Sequence, residues 1–461
     1  MEVTPGLSEL KGNLGIDTIH RWMKAPTKRN GTSKIYQGLI DAKVPAKRND
    51  KRKENVNEHY YSARVKYARQ ACSKFPGCSL MFSVDNKNKL RVSSCTPAVD
   101  RRCKVSRYFP SDDSPNLYDH DFPTPGYLIT PAGYMQMAPP SPPQMTADKL
   151  GRPSLRLPEC NAINVVNRGP HTKTTIASHC NDLFPLIQRS KKTCITILAD
   201  GGADFNVNHL TNEWFLMHLF KDLDLDMLLG TTFCPGFSAR NPIEHVWGVL
   251  TSAATSIYLP DRLPGELPPT LQHLTGNALR QKEGQVFDAA LTTLEGYWSD
   301  VRYSNVPIVV SHKSSEVEAH PYTDDEYSRV HKLLTGPYRD IKQARDIHDD
   351  MAFFKRHIDR RVGMVIFTKC QPPDVCDHCA ISPPKNPEAL AMYRAFPSPA
   401  PSPAHPDHFM SFVEAISQPQ VPPDEHMPVV QEKQLGRCSL CRYVYTSETN
   451  KKDHRKIFHP R

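Results

Sequence analysis

Short apolar runs and helical periods alternate along residues 56–258, and their order predicts one sheet covered by helices. Over residues 54–75, Tyr61, Val65 and Ala68 recur at helical spacing. "CSLMFSVD" (78–85) then reads as a strand, "NKNK" as a turn and "LRVSS" as the start of a second strand. "AINVVN" (162–167) is the third. "TIASHCNDLFPLIQRS" (175–190) has a helical pattern, with Pro185 expected to bend or break it. "TCITILAD" (193–200) reads as a buried strand, "HLTNEWFLMHLFKDL" (209–223) as a helix and "DMLLGTTF" (226–233) as a strand. In the helix after it, Ile243, Val246, Trp247 and Leu250 recur at i, i+3, i+4 and i+7. The order β-β-β-α-β-α-β-α implies a mixed five-stranded sheet with helices on both faces.

Elsewhere the pattern thins. Residues 96–160 are rich in proline and aspartate without a clear period, and read as an irregular insertion on the sheet. Residues 259–381 read as mostly helical, with candidates at 284–301 and 327–361, the latter interrupted at Gly336-Pro337. Residues 382–436 carry "SPPKNP", "PSPAPSPAHP" and "QPQVPP", the composition of a semi-extended linker with no core of its own. The last segment, 437–461, reads as a separate small unit, and 1–55 as a basic flexible segment ending in "AKRNDKRKEN". That run has two readings, a solvated tail or a nuclear-import and phosphate-contacting arm.

Composition narrows the class. The 461 residues allow one large domain with appendages or two to three domains, and 42 prolines agree with a linker. No apolar run approaches the ~18 residues of a membrane span, and "MEVTPGLSELKG" lacks a signal-peptide pattern, so a soluble chain made in the cytosol is expected. A formal charge of +9 is compatible with a polyanionic partner. The 13 cysteines include two tight pairs, Cys376/Cys379 and Cys438/Cys441, which in a reducing compartment read as metal ligands or thiols.

Three carboxylates fall at telling positions. Asp85 ends the first strand, Asp200 ends the fourth, and Glu244 lies in the first turn of the helix after the fifth. If the first and fourth strands are neighbours, Asp85 and Asp200 project side by side and Glu244 closes the group. Clustered carboxylates repel unless a cation neutralises them, and hard oxygen ligands favour Mg²⁺ or Mn²⁺. Each acid also has a local reading. "VDNKNK" fits a hairpin turn and "ADGG" an Asp-Gly turn. In "NPIE", Asn241 fits an N-cap, Pro242 the first helical position and Glu244 the reciprocal acid of a capping box.

"SVDNK", "LADGG" and "NPIEHVW" resemble the three acidic motifs of DDE-type transposases, and "PGFSARNPIEHVW" is similar to the corresponding motif of the Tc1/mariner-type branch. The resemblance spans roughly residues 78–256. It implies an RNase H-like core over 56–258, a divalent-metal site with Asp85, Asp200 and Glu244 as the catalytic acids, and DNA strand cleavage and transfer in the nucleus. The chain departs from the branch in a longer Asp200–Glu244 interval, a short segment before Asp85 and an added C-terminal finger. A transposon-derived host protein is one expectation. A catalytically inactive zinc-finger scaffold that binds nucleic acid or protein is the other.

The tail "CSLCRYVYTSETNKKDHRKIFH" places Cys438, Cys441, His454 and His459 at the spacing of a tetrahedral Cys₂His₂ zinc site, expected to fold as a ββα finger. Zinc would supply the folding free energy of so small a unit, whose basic half suits DNA phosphates, a protein partner being the alternative. "CQPPDVCDHC" gives Cys370, Cys376 and Cys379 as a second candidate Zn²⁺ site, needing a fourth ligand such as the adjacent His378 or the distant His357. His179, His209 and His245 are expected to fill ordinary polar or half-buried roles.

Overall fold

In a computed structural model of the chain, the described residues are 55–94, 97–99, 128–169, 174–255, 257–261, 275–313, 321–335, 348–419 and 421–429, with a few isolated positions besides. The basic N-terminal segment and the ligands Cys438, Cys441 and His454 of the tail lie outside them. No helix among the described residues is long and apolar enough to cross a membrane.

The frame is one mixed sheet of ten strands with helices on it. Its principal strands are β1 (Ser79–Asn86), β2 (Leu128–Ala138), β3 (Glu159–Arg168), β4 (Cys194–Ala199), β5 (Met227–Thr232), β6 (Val306–Lys313), β7 (Ile358–Arg361) and β8 (Met364–Thr368). They lie in the order β6-β3-β2-β1-β4-β5-β8-β7. β1, β4 and β5 run parallel, while β2 is antiparallel to both β1 and β3. The C-terminal ends of β1, β4 and β5 therefore share one edge of the sheet, where connecting loops can approach a ligand.

The expected five-stranded sheet is half the observed size, and two of its assignments move. Only Leu90 and Arg91 of "LRVSS" pair as a strand, with β2. β1 pairs with β4 on one side and on the other with β2, the longest strand, which lies inside the stretch expected to be an irregular insertion. Its sequence "LITPAGYMQMA" is largely buried on both faces, so it does not alternate, and Pro131 and Gly133 mimic breakers. Gly133 has a packing reason: a Cβ there would run into the Trp247 ring. Besides its helices, the stretch 259–381 adds strands at both sides of the sheet.

The helices are α1 (Glu58–Lys74), α2 (Ile176–Ser190), α3 (Leu210–Asp222), α4 (Ile243–Ala253), α5 (Gly276–Trp298), α6 (Asp324–Thr335), α7 (His348–His357) and α8 (Pro387–Arg394). α2 runs through Pro185 without a break. One apolar face of the sheet, with Leu80, Phe82 and Ile195, packs against α2, α3, α6 and α7. The opposite face, with Met81, Ile163 and Leu198, packs against α4 and α5, next to α1.

The proline-rich stretch is not a free linker. Ala389, Tyr393, Phe396 and Phe412 are buried against Tyr67, Ala68 and Ala71 of α1 and Met364 and Ile366 of β8. Tyr67 donates its hydroxyl proton to the Met410 carbonyl at 2.7 Å, and Asp424 accepts from the Val362 amide at 2.8 Å. Each buried aromatic or leucine contributes about 1.5–3 kcal/mol, enough to hold an extended chain whose backbone proline has already restricted.

Substituting Gly133→Ala tests the close approach of α4 to β2. The added methyl meets a large buried ring, so urea unfolding should show a loss of about 1–3 kcal/mol with an unchanged denaturant slope.

Candidate active site and candidate metal centre

Asp85 lies near the end of β1, and the start of α4 is bolted to that strand two residues earlier. Ser83 donates its hydroxyl proton to the Asn241 side-chain oxygen, and Asn241 Nδ2 donates to the Val84 carbonyl at 2.9 Å. The Ser83 oxygen in turn accepts the Ile243 amide proton at 3.0 Å. Asn241 is fully buried and its side chain faces β1, so the capping-box expectation is corrected. A serine from the neighbouring strand takes one orphan N–H of the helix start, while the Asn241 carbonyl accepts from the Glu244 amide at 3.0 Å. Glu244 is thereby free to point at Asp85 instead of back at its own cap.

The three sequence-predicted acids come together electrostatically. Burial and the neighbouring Asp200 and Glu244 carboxylates push Asp85 up to about 9, against the hydrogen bond that Trp247 Nε1 donates to its Oδ2 at 3.1 Å. Burial also raises Glu244, and Asp200 adds to the rise; a hydrogen bond with Asp85 and the positive Lys87 oppose it. Asp200 is raised by burial as well, although the Gly202 amide donates to its Oδ1 at 2.7 Å. Gly201, at φ +90°, gives the turn that aims that amide. All three carboxylates are half-buried, in reach of solvent from the sheet edge.

Sequence reasoning missed the second ring around these acids. Asp204 lies beside Asp200 across Gly202. It accepts from Asn86 Nδ2 and faces His179 Nε2 at 3.2 Å. Burial alone would raise Asp204, but His179 and Asn86 hold it below the ordinary carboxylate range. His179 Nδ1 lies 2.8 Å from the Tyr134 hydroxyl, which donates to Asp182, and Asp182 pairs with the buried Arg168. His179 therefore fills a buried polar role within a continuous hydrogen-bonded chain. The signal for Asp204 was visible as the second acid of "ADGGAD", but its partners come from β1 and α2 and have no sequence signature. Lys87 Nζ reaches Thr251 Oγ1 of α4 at 2.6 Å, bringing a buried cation to the same neighbourhood.

A second cluster has another chemistry. His357 ends α7, Cys370 follows β8, and Cys376 and Cys379 flank the start of a short helical turn, Asp377–Ile381. His357 Nε2 lies 3.4, 3.4 and 3.6 Å from the sulfurs of Cys370, Cys379 and Cys376. The four ligand atoms all lie within 4.8 Å of one another, and among the described residues no other group of three or more His, Cys, Asp or Glu side chains gathers this closely. This set could hold a metal ion such as zinc. His378, the other candidate fourth ligand, instead presents its ring to Phe353 at 5.1 Å. The tail ligands Cys438, Cys441 and His454 lie outside the described residues; His459, which is described, lies 3.3 Å from Lys355 Nζ.

The raised pKa of Asp85 fixes a pH dependence. Between its ordinary value of 3.8 and about 9 the folded chain keeps a proton that the unfolded chain has lost, so the penalty is absent below that window and complete above it. Without added Mg²⁺ or Mn²⁺, unfolding free energy should therefore fall relative to Asp85→Asn as pH rises from 5 to 8.5. Thermal melts across that range should leave the variant about 1–3 kcal/mol more stable at the upper end.

These sites are read from the chain's own residues: comparison with family models, with curated proteins and with solved structures finds no match.

Proposed function

We propose that the chain is a transposase-derived, nuclear DNA-binding protein whose acid cluster carries out metal-dependent phosphoryl transfer, with Asp85, Asp200 and Glu244 as the catalytic acids. The observation that carries this is their convergence. Acids 115 and 44 positions apart in sequence stand at the ends of the adjacent parallel strands β1 and β4, with Ser83 opposite Leu198, and at the start of α4, and Asp200 and Glu244 both raise Asp85. The order β3-β2-β1-β4-β5, with β2 alone antiparallel to both its neighbours and β1, β4 and β5 parallel, supports an RNase H-like core within the larger sheet.

Mg²⁺ or Mn²⁺ held by these acids would supply Lewis-acid activation of a water or a DNA 3′-hydroxyl and stabilisation of the leaving oxygen. The half-buried acids suit that chemistry. Their mutual repulsion favours a cation, and hard oxygens match its preference. Carboxylates that serve two ions need not all crowd around one point, which fits a spread wider than that of the His/Cys cluster. Asp85, Asp200 and Glu244 would hold the metal, and His179 with Asn86 fixes Asp204 beside Asp200. The net positive charge and the basic tail finger of Cys438, Cys441, His454 and His459 favour DNA as the polyanion held.

Incubating the full chain with supercoiled DNA should give nicking that requires Mg²⁺ or Mn²⁺. Asp200→Asn and Glu244→Gln should each lower the rate by about 10²-fold or more, roughly 2.7 kcal/mol of transition-state stabilisation. Equal nicking by wild type and variants removes the acids from the mechanism. Absence of nicking by a folded wild type favours the inactive scaffold.

A further inference from the structure

We infer that His357, Cys370, Cys376 and Cys379 form a closed structural zinc site that clasps the C-terminal segment 382–429 to the sheet, independently of what the acid cluster does. The distances fit a tetrahedral metal site, and the ligand set points to zinc. With Zn–S near 2.3 Å and Zn–N near 2.05 Å, a tetrahedral angle separates sulfur and nitrogen by about 3.6 Å. The three observed separations, 3.4, 3.4 and 3.6 Å, match that value. One imidazole nitrogen nearly equidistant from three sulfurs is the arrangement of a shared central ion. A disulfide would join two of the thiols and leave His357 no reason to face all three. Three soft sulfurs and one nitrogen in a tetrahedron suit zinc, and four protein ligands leave no open position for substrate.

The surroundings orient the ligands. His357 is 2% exposed, and its Nδ1 lies 2.7 Å from the Phe353 carbonyl. A proton on Nδ1 satisfies that carbonyl and leaves the Nε2 lone pair aimed at the sulfurs. Arg356 Nε donates to the Cys370 sulfur at 3.4 Å, and the Cys370 amide donates to the Cys379 sulfur at 3.3 Å. N–H donors on thiolates offset the negative charge that three sulfurs bring to one ion. Phe353 stacks on the imidazole at 3.9 Å and seals one side of the site.

The placement gives the role. The chain leaves β8, makes the Cys370–Cys379 turn, and only then crosses to bury Tyr393, Phe396 and Phe412 beside α1. Lys369, fully buried at the start of that turn, ion-pairs with Asp224 at 2.5 Å and donates to the Ser382 carbonyl at 3.0 Å. Zinc fixes the turn between these anchors, so removing it frees the segment beyond.

The test uses the full chain and reads metal and protection, not activity, so it is separate from the nicking experiment. Zinc content by mass spectrometry should fall by one ion per chain in Cys376→Ser and in His357→Gln, and stay unchanged in His378→Gln. Cys438→Ser serves as the control for an ion held by the tail. In the wild type, maleimide labelling of the half-buried Cys376 should accelerate roughly tenfold or more when phenanthroline strips the metal, with faster proteolysis between residues 382 and 429. Substitution of Co²⁺ for zinc should give the absorption of a tetrahedral, thiolate-rich site that Cys376→Ser weakens. Zinc content indifferent to Cys376 and His357 overturns the inference. Because the substitutions could unfold the chain, the wild-type labelling stands alone: equal Cys376 reactivity with and without chelator also overturns it.

Discussion

The clasp between Ser83 and Asn241 is the interaction on which the acid site depends. Three hydrogen bonds join the end of β1 to the first turn of α4, using the Asn241 side chain and the Ile243 amide. Without them, Asp85 and Glu244 would separate, because two carboxylates in a poorly solvated place repel. The clasp works only if α4 can lie close to the sheet, and Gly133 provides that room for Trp247. Trp247 then returns a hydrogen bond to Asp85. Packing and polar contacts thus over-determine a geometry that electrostatics alone would oppose, as a preorganised site requires.

The far end of the chain supports the same turn. Arg240, just before Asn241, pairs with Glu58 and donates to Ser62 of α1 at 2.7 Å. Cys234 and Phe237 of the loop ahead of α4 pack with Tyr60, Tyr61 and Met427. Arg64 of α1 reaches the Thr232 carbonyl at the end of β5 at 3.1 Å and stacks on Tyr61. α1 therefore stands between the C-terminal segment and the loop that aims Glu244. A stretch that composition marks as linker is, in packing terms, the outer wall of this support.

The legible parts of the sequence were those where one residue type had one physical reason. "TCITILAD" and "DMLLGTTF" are uninterrupted apolar runs, and they form the buried parallel strands β4 and β5. β2 was illegible because Pro131 and Gly133 sit in a strand whose partners satisfy or exploit them. The Lys87 amide donates to the Pro131 carbonyl at 2.8 Å, and Trp247 fills the space over Gly133. Asn241-Pro242 correctly signalled a helix start, yet the asparagine serves the neighbouring strand, which no local window can reveal. Asp85, Asp200 and Glu244 could be proposed from strand and helix ends, whereas Asp204, His179 and Asn86 meet only through the tertiary fold. The cysteines of the second cluster were visible by spacing, and the choice of His357 over His378 required the packing of α7 against the turn.

The two clusters answer opposite demands. Asp85, Asp200 and Glu244 are half-buried at the open edge of the sheet, among loops, with their charges left mutually unfavourable. Such a set is costly when empty and gains from a neutralising cation. Cys370 and Cys379 are buried with His357, receive N–H donors, and present all four ligand atoms to one point. That set gains nothing from access and is consistent with holding chain segments together. Burial separates the two clusters more sharply than residue type does: at the open edge of the sheet the fold tolerates electrostatic strain, and in the enclosed cluster it removes that strain.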